Sequence, residues 1–73
     1  MRYRLDVFRD AALSERVERL SLSARSDEIA LGQAEAMRWR CECAGRSRTL
    51  VLTREDGAVV ARMGSRRMTG YGD

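Results

Sequence analysis

Two cysteines are the first residues in this sequence whose types could do chemistry. Cys41 and Cys43 form a Cys-x-Cys pair, a spacing that occurs in metal sites. On a helix, however, side chains two residues apart point about 200° away from one another, so the two thiolates would not hold one ion. The chain has no histidine, and a four-ligand zinc site would need carboxylates as its other ligands. We therefore predict no metal site and no cofactor.

Catalytic groups are also scarce. Without histidine, Ser-His-Asp and Cys-His arrangements are excluded. The carboxylates of Asp6, Glu18 and Glu35 have arginines nearby, and Glu55-Asp56 belongs to a turn, so solvated charge accounts for them. The last glycines do not stand between a strand and a helix, as a phosphate-binding loop requires. The sequence predicts a protein that is not an enzyme, with no catalytic residues and no small-molecule ligand.

Arginine is the remaining candidate for binding chemistry. All fourteen basic residues are arginine, which is typical of a GC-rich bacterial genome. The net charge is +3, but residues 1–37 carry −1 and residues 38–73 carry +4. An acidic partner would therefore bind the second half. The candidate contacts to nucleic-acid phosphates are Arg40, Arg46, Arg48, Arg66 and Arg67.

Each of these candidates has a structural explanation beside the functional one. Arginines at the end of a helix complement its dipole, which explains Arg38 and Arg40 without a ligand. Trp39, which lies among them, would stack on a base or, as is commoner for a lone tryptophan, close the core or lie in a subunit contact. Phe8 presents the same choice on a strand. Trp39 and Phe8 are thus the candidate interface residues.

One helix must position most of these residues. Residues 26–44, SDEIALGQAEAMRWRCECA, have the spacing of an amphipathic helix. Ser26 is suited to the N-cap, and Gly45 to the left-handed conformation that ends a helix. The stripe predicted to face the core consists of Ala30, Ala34, Met37, Cys41 and Ala44.

Strand-like sequence flanks the helix on both sides. Residues 2–9 alternate, with Tyr3, Leu5 and Val7 on one side. Residues 16–24 have two interpretations, a helix from the spacing of Leu13, Val17 and Leu20 or a strand that forms a hairpin with the first; we favour the strand.

The second half of the chain predicts another hairpin. A strand over residues 46–53 and one over 58–63 are joined by Arg54-Glu55-Asp56-Gly57, and Asp-Gly between apolar runs is a strong hairpin signal. Both strands are apolar on both faces, so the sequence does not decide which residues point to the core. We expect residues 64–73 to form a mobile C-terminal tail beyond a single domain of residues 1–63.

These elements predict an α+β fold with the order ββαββ: a four-stranded, mostly antiparallel sheet with one helix packed on one face. The order of strands across the sheet is not determined by the sequence. The layout YRLDVF, VERLSLSARSDEIALGQAEAM and TLVLTREDGAVVARM, over residues 2–63, resembles small uncharacterised proteobacterial proteins, a domain of unknown function. The resemblance implies the fold and brings no activity, ligand or site residue with it.

Size and surface point to a function in binding. A domain of this length has a marginal core, and strands that are apolar on both faces suggest that the C-terminal tail or a second copy covers part of the sheet. No apolar run is long enough for a membrane span, and no signal-peptide core follows Met1, so we expect a cytoplasmic protein. The leading hypothesis is a non-catalytic protein-interaction module that forms a homodimer. The alternative is weak nucleic-acid binding by the arginine-rich second half.

Overall fold

The structure, a computed structural model, describes residues 1–65, and of Ser65 only the backbone. Within this range the chain forms four strands and one helix: β1 (Arg2–Phe8), β2 (Arg16–Ser23), α1 (Asp27–Cys43), β3 (Arg48–Arg54) and β4 (Val59–Ser65). All pairings are antiparallel, and the order across the single sheet is β2-β1-β3-β4. The predicted α+β fold is confirmed. Residues 66–73, most of the expected tail, lie outside the described residues.

The segment that the sequence allowed to be a helix or a strand, residues 16–24, forms the strand β2, as predicted. Leu20 lies opposite Leu5 and Leu22 opposite Tyr3, so its alternating leucines extend the apolar face of β1. A helix over the same residues would leave β1 without a neighbour on this side. Tertiary pairing therefore overrides the good helix propensity of the segment.

The helix begins and ends where its capping residues predict. The Ser26 hydroxyl accepts a hydrogen bond from the backbone N–H of Ile29 at 3.3 Å. At the other end Gly45 has φ of 71°, the left-handed conformation that glycine adopts without strain. Two acidic residues, Asp27 and Glu28, stand in the first turn and complement the helix dipole.

The core lies between the helix and one face of the sheet. Its fully buried large side chains are Leu5, Leu50 and Leu52, and the helix contributes Ala30 and Ala34, both 0% exposed. Alanine side chains are small, so at these positions the helix can pack closely against the sheet. The sequence did not decide which residues of β3 point to the core, and the structure shows that they are the alternate residues Leu50 and Leu52.

The closing hairpin has the predicted Asp-Gly turn. Gly57 has φ of 96°, and its N–H donates to the carbonyl of Arg54 at 2.9 Å. A bulge follows, because Leu52 pairs with Ala61 while Thr53 pairs with Val59. The extra residue, Val60, packs against the core, whereas Val59 is 64% exposed.

The buried stripe of the helix is shorter than predicted. Ala30 and Ala34 are buried, but Met37 and Cys41 are half-buried and Ala44 is exposed. Trp39, which would close the core in one interpretation, is 55% exposed. Only the first half of the helix therefore lies firmly in the core.

Candidate interaction surfaces

The helix does not cover the sheet evenly. It packs mainly on β3 and β4 and touches β2 only slightly. An open groove of about 250 Å³ is left between the helix and β2. The groove is lined by the apolar side chains of Leu5, Leu20, Leu22, Ala36 and Met37, with the polar side chains of Gln33 and Arg40. Apolar surface of the sheet thus reaches solvent along the β2 side of the molecule.

β2 is also an edge strand of the sheet, and about half of its backbone hydrogen-bonding groups face away from β1. Met1 and Ala24 exchange two backbone hydrogen bonds, each of 3.0 Å. Since bonded pairs alternate along an antiparallel ladder, Leu22, Leu20 and Glu18 also bond to β1. The N–H and C=O groups of the intervening residues, Arg19, Ser21 and Ser23, consequently point away from the sheet.

This edge is only partly protected. Its first half carries Arg16, Glu18 and Arg19, and charges of this kind discourage pairing with another strand. Its second half, Leu20–Ser23, has the uncharged sequence LSLS. The helix reaches this half through a 3.4 Å hydrogen bond from Gln33 Nε2 to the carbonyl of Ser23. The uncharged half of β2 is therefore open to a further strand.

The outer face, defined as the sheet face without the helix, is polar and basic. On β1 it carries Arg4, Asp6 and Phe8, and β2 places Arg19 opposite Asp6. Asp6 is buried, and its carboxylate accepts hydrogen bonds from the Nε of Arg4 at 3.2 Å and the Nε of Arg19 at 2.7 Å. Arg62 of β4 donates to the carbonyl of Ala11, which ties the β1–β2 loop to the far side of this face.

A second polar cluster joins the helix start to the sheet. Asp27 accepts hydrogen bonds from the Tyr3 hydroxyl at 2.7 Å and from the Nε of Arg54 at 3.2 Å. The Arg54 guanidinium, and then the Tyr3 hydroxyl, lower the pKa of Asp27 below its ordinary value of 3.8. The same hydrogen bond to Asp27 is the main cause that raises the pKa of Tyr3. All three groups satisfy one another, so this cluster holds the fold together and offers no reactive group.

The arginines predicted to contact a nucleic acid lie in different elements. Arg40 is exposed near the end of the helix and lines the groove beside β2. Arg46 is exposed in the helix–β3 connection, and Arg48, half-buried, begins β3 and donates to the carbonyl of Ser47 at 2.9 Å. Arg66 and Arg67 lie outside the described residues. A continuous basic edge made of all five stays a prediction.

The two candidate interface aromatics lie on opposite sides of the molecule. Trp39 is on the exposed side of the helix, away from the sheet. Phe8 is half-buried at the end of β1, on the outer face between Arg16 and Thr49 of the neighbouring strands. Only Phe8 therefore shares a surface with a basic cluster.

The grouping of Arg4, Arg16 and Arg19 around Asp6 was not predicted from the sequence. The signal was present, because the alternation of β1 places Arg4 and Asp6 on one face. Leu20 and Leu22 facing the core likewise place Arg19 on the outer face. The sequence does not give the register of the hairpin, and it is this register that places Arg19 opposite Asp6.

The cysteines and acidic residues do not form a metal centre in the described part of the chain. Cys41 is half-buried, Cys43 is exposed, and neither forms a disulfide. Within residues 1–65 no three cysteine, aspartate or glutamate side chains come together in a way that would hold an ion. The helix of this range, α1, is also neither long nor apolar enough to span a bilayer.

Comparison with known proteins finds no relative of this chain. No protein-family model, no curated protein and no solved structure matches the chain. The chain has the predicted layout, a four-stranded antiparallel sheet with one helix, but its resemblance to small proteobacterial proteins as a family is not supported.

Proposed function

We propose that this chain is a small, non-catalytic protein-interaction module that associates with a second copy of itself through the edge of β2. The observation that carries the proposal is the combination of a strand edge that is uncharged over residues 20–23 with an open apolar groove directly above it. Leu20 and Leu22 belong to both features. A strand added at this edge would gain main-chain hydrogen bonds and cover the leucines together.

A second copy of β2 fits this edge in a definite antiparallel register. With Ser21 opposite Ser21 of the second copy, Leu20 lies opposite Leu22, and Arg19 lies opposite Ser23. Arg19, Ser21 and Ser23 are the residues whose backbone groups point outward, so every pair that must exchange hydrogen bonds has groups that β1 does not use. The Ser23 carbonyl also accepts from Gln33 Nε2, and its second lone pair remains for the other copy. No like charges face one another directly. The edge is thus complementary to itself, as a two-fold interface requires.

The other surfaces are less suited to self-association. The outer face carries several arginines, and two copies of it would repel one another. β4, the opposite edge, contains a bulge, and the helix packs mainly on it and on β3. The off-centre helix, in contrast, leaves room above β2 for the sheet of a second copy.

The remaining assignments rest on side-chain inventory. The chain has no histidine, and its described carboxylates are paired with arginines or exposed, which supports a role in binding over one in catalysis. Two free cysteines suit the reducing cytoplasm, where we place the protein. The function needs no cofactor.

Replacing Ser21 with proline tests the proposal. Proline removes the Ser21 N–H, which β1 does not use, and proline is tolerated at an edge strand when its N–H would face solvent. The matched control is Ser21→Ala, which removes the hydroxyl and keeps the N–H.

Light scattering during gel filtration measures the outcome. We expect Ser21→Pro to weaken self-association about tenfold or more, because two hydrogen bonds at the two-fold axis are lost, while Ser21→Ala retains it. Thermal unfolding followed by circular dichroism checks that both variants fold. A folded Ser21→Pro variant that associates as the wild type does would exclude the β2 edge as the interface.

A further inference from the structure

The outer face holds three arginines around one buried carboxylate. The side chain of Asp6 is 8% exposed, and its oxygens lie 3.2 Å from Arg4 Nε, 2.7 Å from Arg19 Nε and 3.9 Å from Arg16 Nη1. Three guanidinium groups against one carboxylate leave two positive charges in excess. Asp6 holds the arginines together without neutralising them, so the cluster attracts an anion.

The hydrogen bonds to Asp6 also fix how these arginines are presented. Arg4 and Arg19 are both held through Nε, and their terminal nitrogens have no partner among residues 1–65. The three arginine side chains are between 45% and 48% exposed, so those nitrogens are accessible. A guanidinium plane that is already oriented binds phosphate oxygens with less loss of side-chain freedom than a mobile arginine does.

The shape of the surface indicates the form of the anion. The cluster lies on an open sheet instead of in a closed pocket, which suits an extended chain of phosphates better than a single small ion. Arg2 and Phe8 continue the same face toward both ends of β1, and together they span about 20 Å. Phe8, half-buried beside Arg16, offers part of its ring to a base.

We propose that the outer face binds the phosphate backbone of a single-stranded nucleic acid, with Arg4, Arg16 and Arg19 as its phosphate contacts and Asp6 as the residue that positions them. A single strand is favoured because a sheet face does not enter a duplex groove, whereas a helix or a two-stranded ribbon does. The site is complete in one protomer and does not depend on self-association. Its arginines also differ from those in the second half of the chain, which the sequence suggested as phosphate contacts.

Fluorescence anisotropy with labelled oligothymidine and oligouridine at low salt tests this site. We expect both single strands to bind the wild-type protein, with an affinity that falls steeply as salt is added. The double variant Arg4→Gln/Arg19→Gln should bind about tenfold or more weakly, and its salt slope should be smaller by about 1.4, since each lost phosphate contact removes about 0.7. The control is Arg38→Gln on the helix, where Arg38 pairs with Glu35 and Glu42. It removes one charge, as each of the two substitutions in the double variant does.

Amide NMR spectra of the wild-type protein give a second readout that needs no substitution. We expect oligonucleotide-induced shifts at residues 4–8 and 16–19, which fade as salt is added. Shifts confined to residues 38–48, an equal loss of affinity in Arg38→Gln, or no binding at low salt would each overturn the proposal. Binding of a duplex with higher affinity than either single strand would overturn its choice of ligand.

Discussion

A cysteine at position 21 tests the register of the proposed β2–β2 pairing more finely than any measurement of mass. With Ser21 on the two-fold axis, its Cα lies about 5.5 Å from Cα of Ser21 in the second copy, the separation of a hydrogen-bonded antiparallel pair. Disulfides join Cα atoms about 4.4–6.8 Å apart, so Ser21→Cys falls inside the range. Ser23 is the matched control, because it is equally exposed and lies on the same face of β2.

The geometry separates the two positions by a wide margin. In this register Ser23 faces Arg19 of the second copy, and Ser23 of that copy lies four residues further along, at about 14 Å. That distance is far beyond the reach of a disulfide. A mixture of Arg19→Cys and Ser23→Cys chains, in contrast, should cross-link to each other.

The assay is non-reducing gel electrophoresis after equilibration in a glutathione redox buffer, with the native thiols removed by Cys41→Ala and Cys43→Ser. We expect Ser21→Cys to give a covalent dimer and Ser23→Cys alone to stay a monomer. Equal cross-linking at both positions, or none at position 21 at concentrations where the protein is a dimer, would refute the register.

Three further predictions concern the fold. Leu52 is fully buried between the helix and the sheet, so Leu52→Ala should lower the free energy of unfolding by about 2–5 kcal/mol, a large part of the roughly 4–11 kcal/mol expected at this length. Urea unfolding measures this loss, and a loss below about 1 kcal/mol would contradict the place of Leu52 in the core. Gly57→Ala, at φ of 96°, should destabilise by about 1 kcal/mol in the same assay, whereas an unchanged midpoint would mean that the turn relaxes freely. Asp27 has a lowered pKa, so its stabilising contribution is present above about pH 4 and is lost as the pH falls through the folded-state value. Melting temperatures from pH 6 to pH 2.5 should therefore fall less in Asp27→Asn than in the wild type, and parallel curves would contradict the role of the Arg54 contact.

Local chemistry made the element boundaries readable from the sequence. Ser26 and Gly45 act through their own backbone and side chain, so the helix ends follow from residue type alone. The Asp-Gly turn is equally local. The alternation of Tyr3, Leu5 and Val7 needed only the period of a strand to be assigned to the core.

Features that depend on register were not readable in the same way. The choice between Leu50 and Val51 as core residues depends on how β3 lies against β1, and both residue types suit both faces. The position of the helix over β3 and β4 depends on the packing of small alanines against the sheet. The groove beside β2 follows from that position, so no pattern within β2 itself predicts it.

The candidate sites also depend on strand register, which residue type alone does not determine. Arg40, Arg46 and Arg48 lie at the end of the helix, in the connection that follows it and at the start of β3, and their grouping into one basic edge stays a prediction. Arg4 and Arg19 are separated by fifteen positions and meet at Asp6 only through the hairpin pairing. Charge clusters of this kind need the strand register before they can be recognised.

Amide hydrogen exchange of the wild-type protein tests the central claim, the pairing of β2 with a second copy, most directly. The N–H groups of Arg19, Ser21 and Ser23 point away from β1, so they exchange quickly in a monomer and become protected when another strand binds them. We predict that their exchange slows as the concentration rises from tens to several hundred micromolar, together with a mass that approaches twice the 8.3 kDa of one chain. Fast exchange at these three amides at every concentration, with a mass that rises all the same, would show that the protein associates through another surface. A mass that stays at that of one chain would contradict self-association itself.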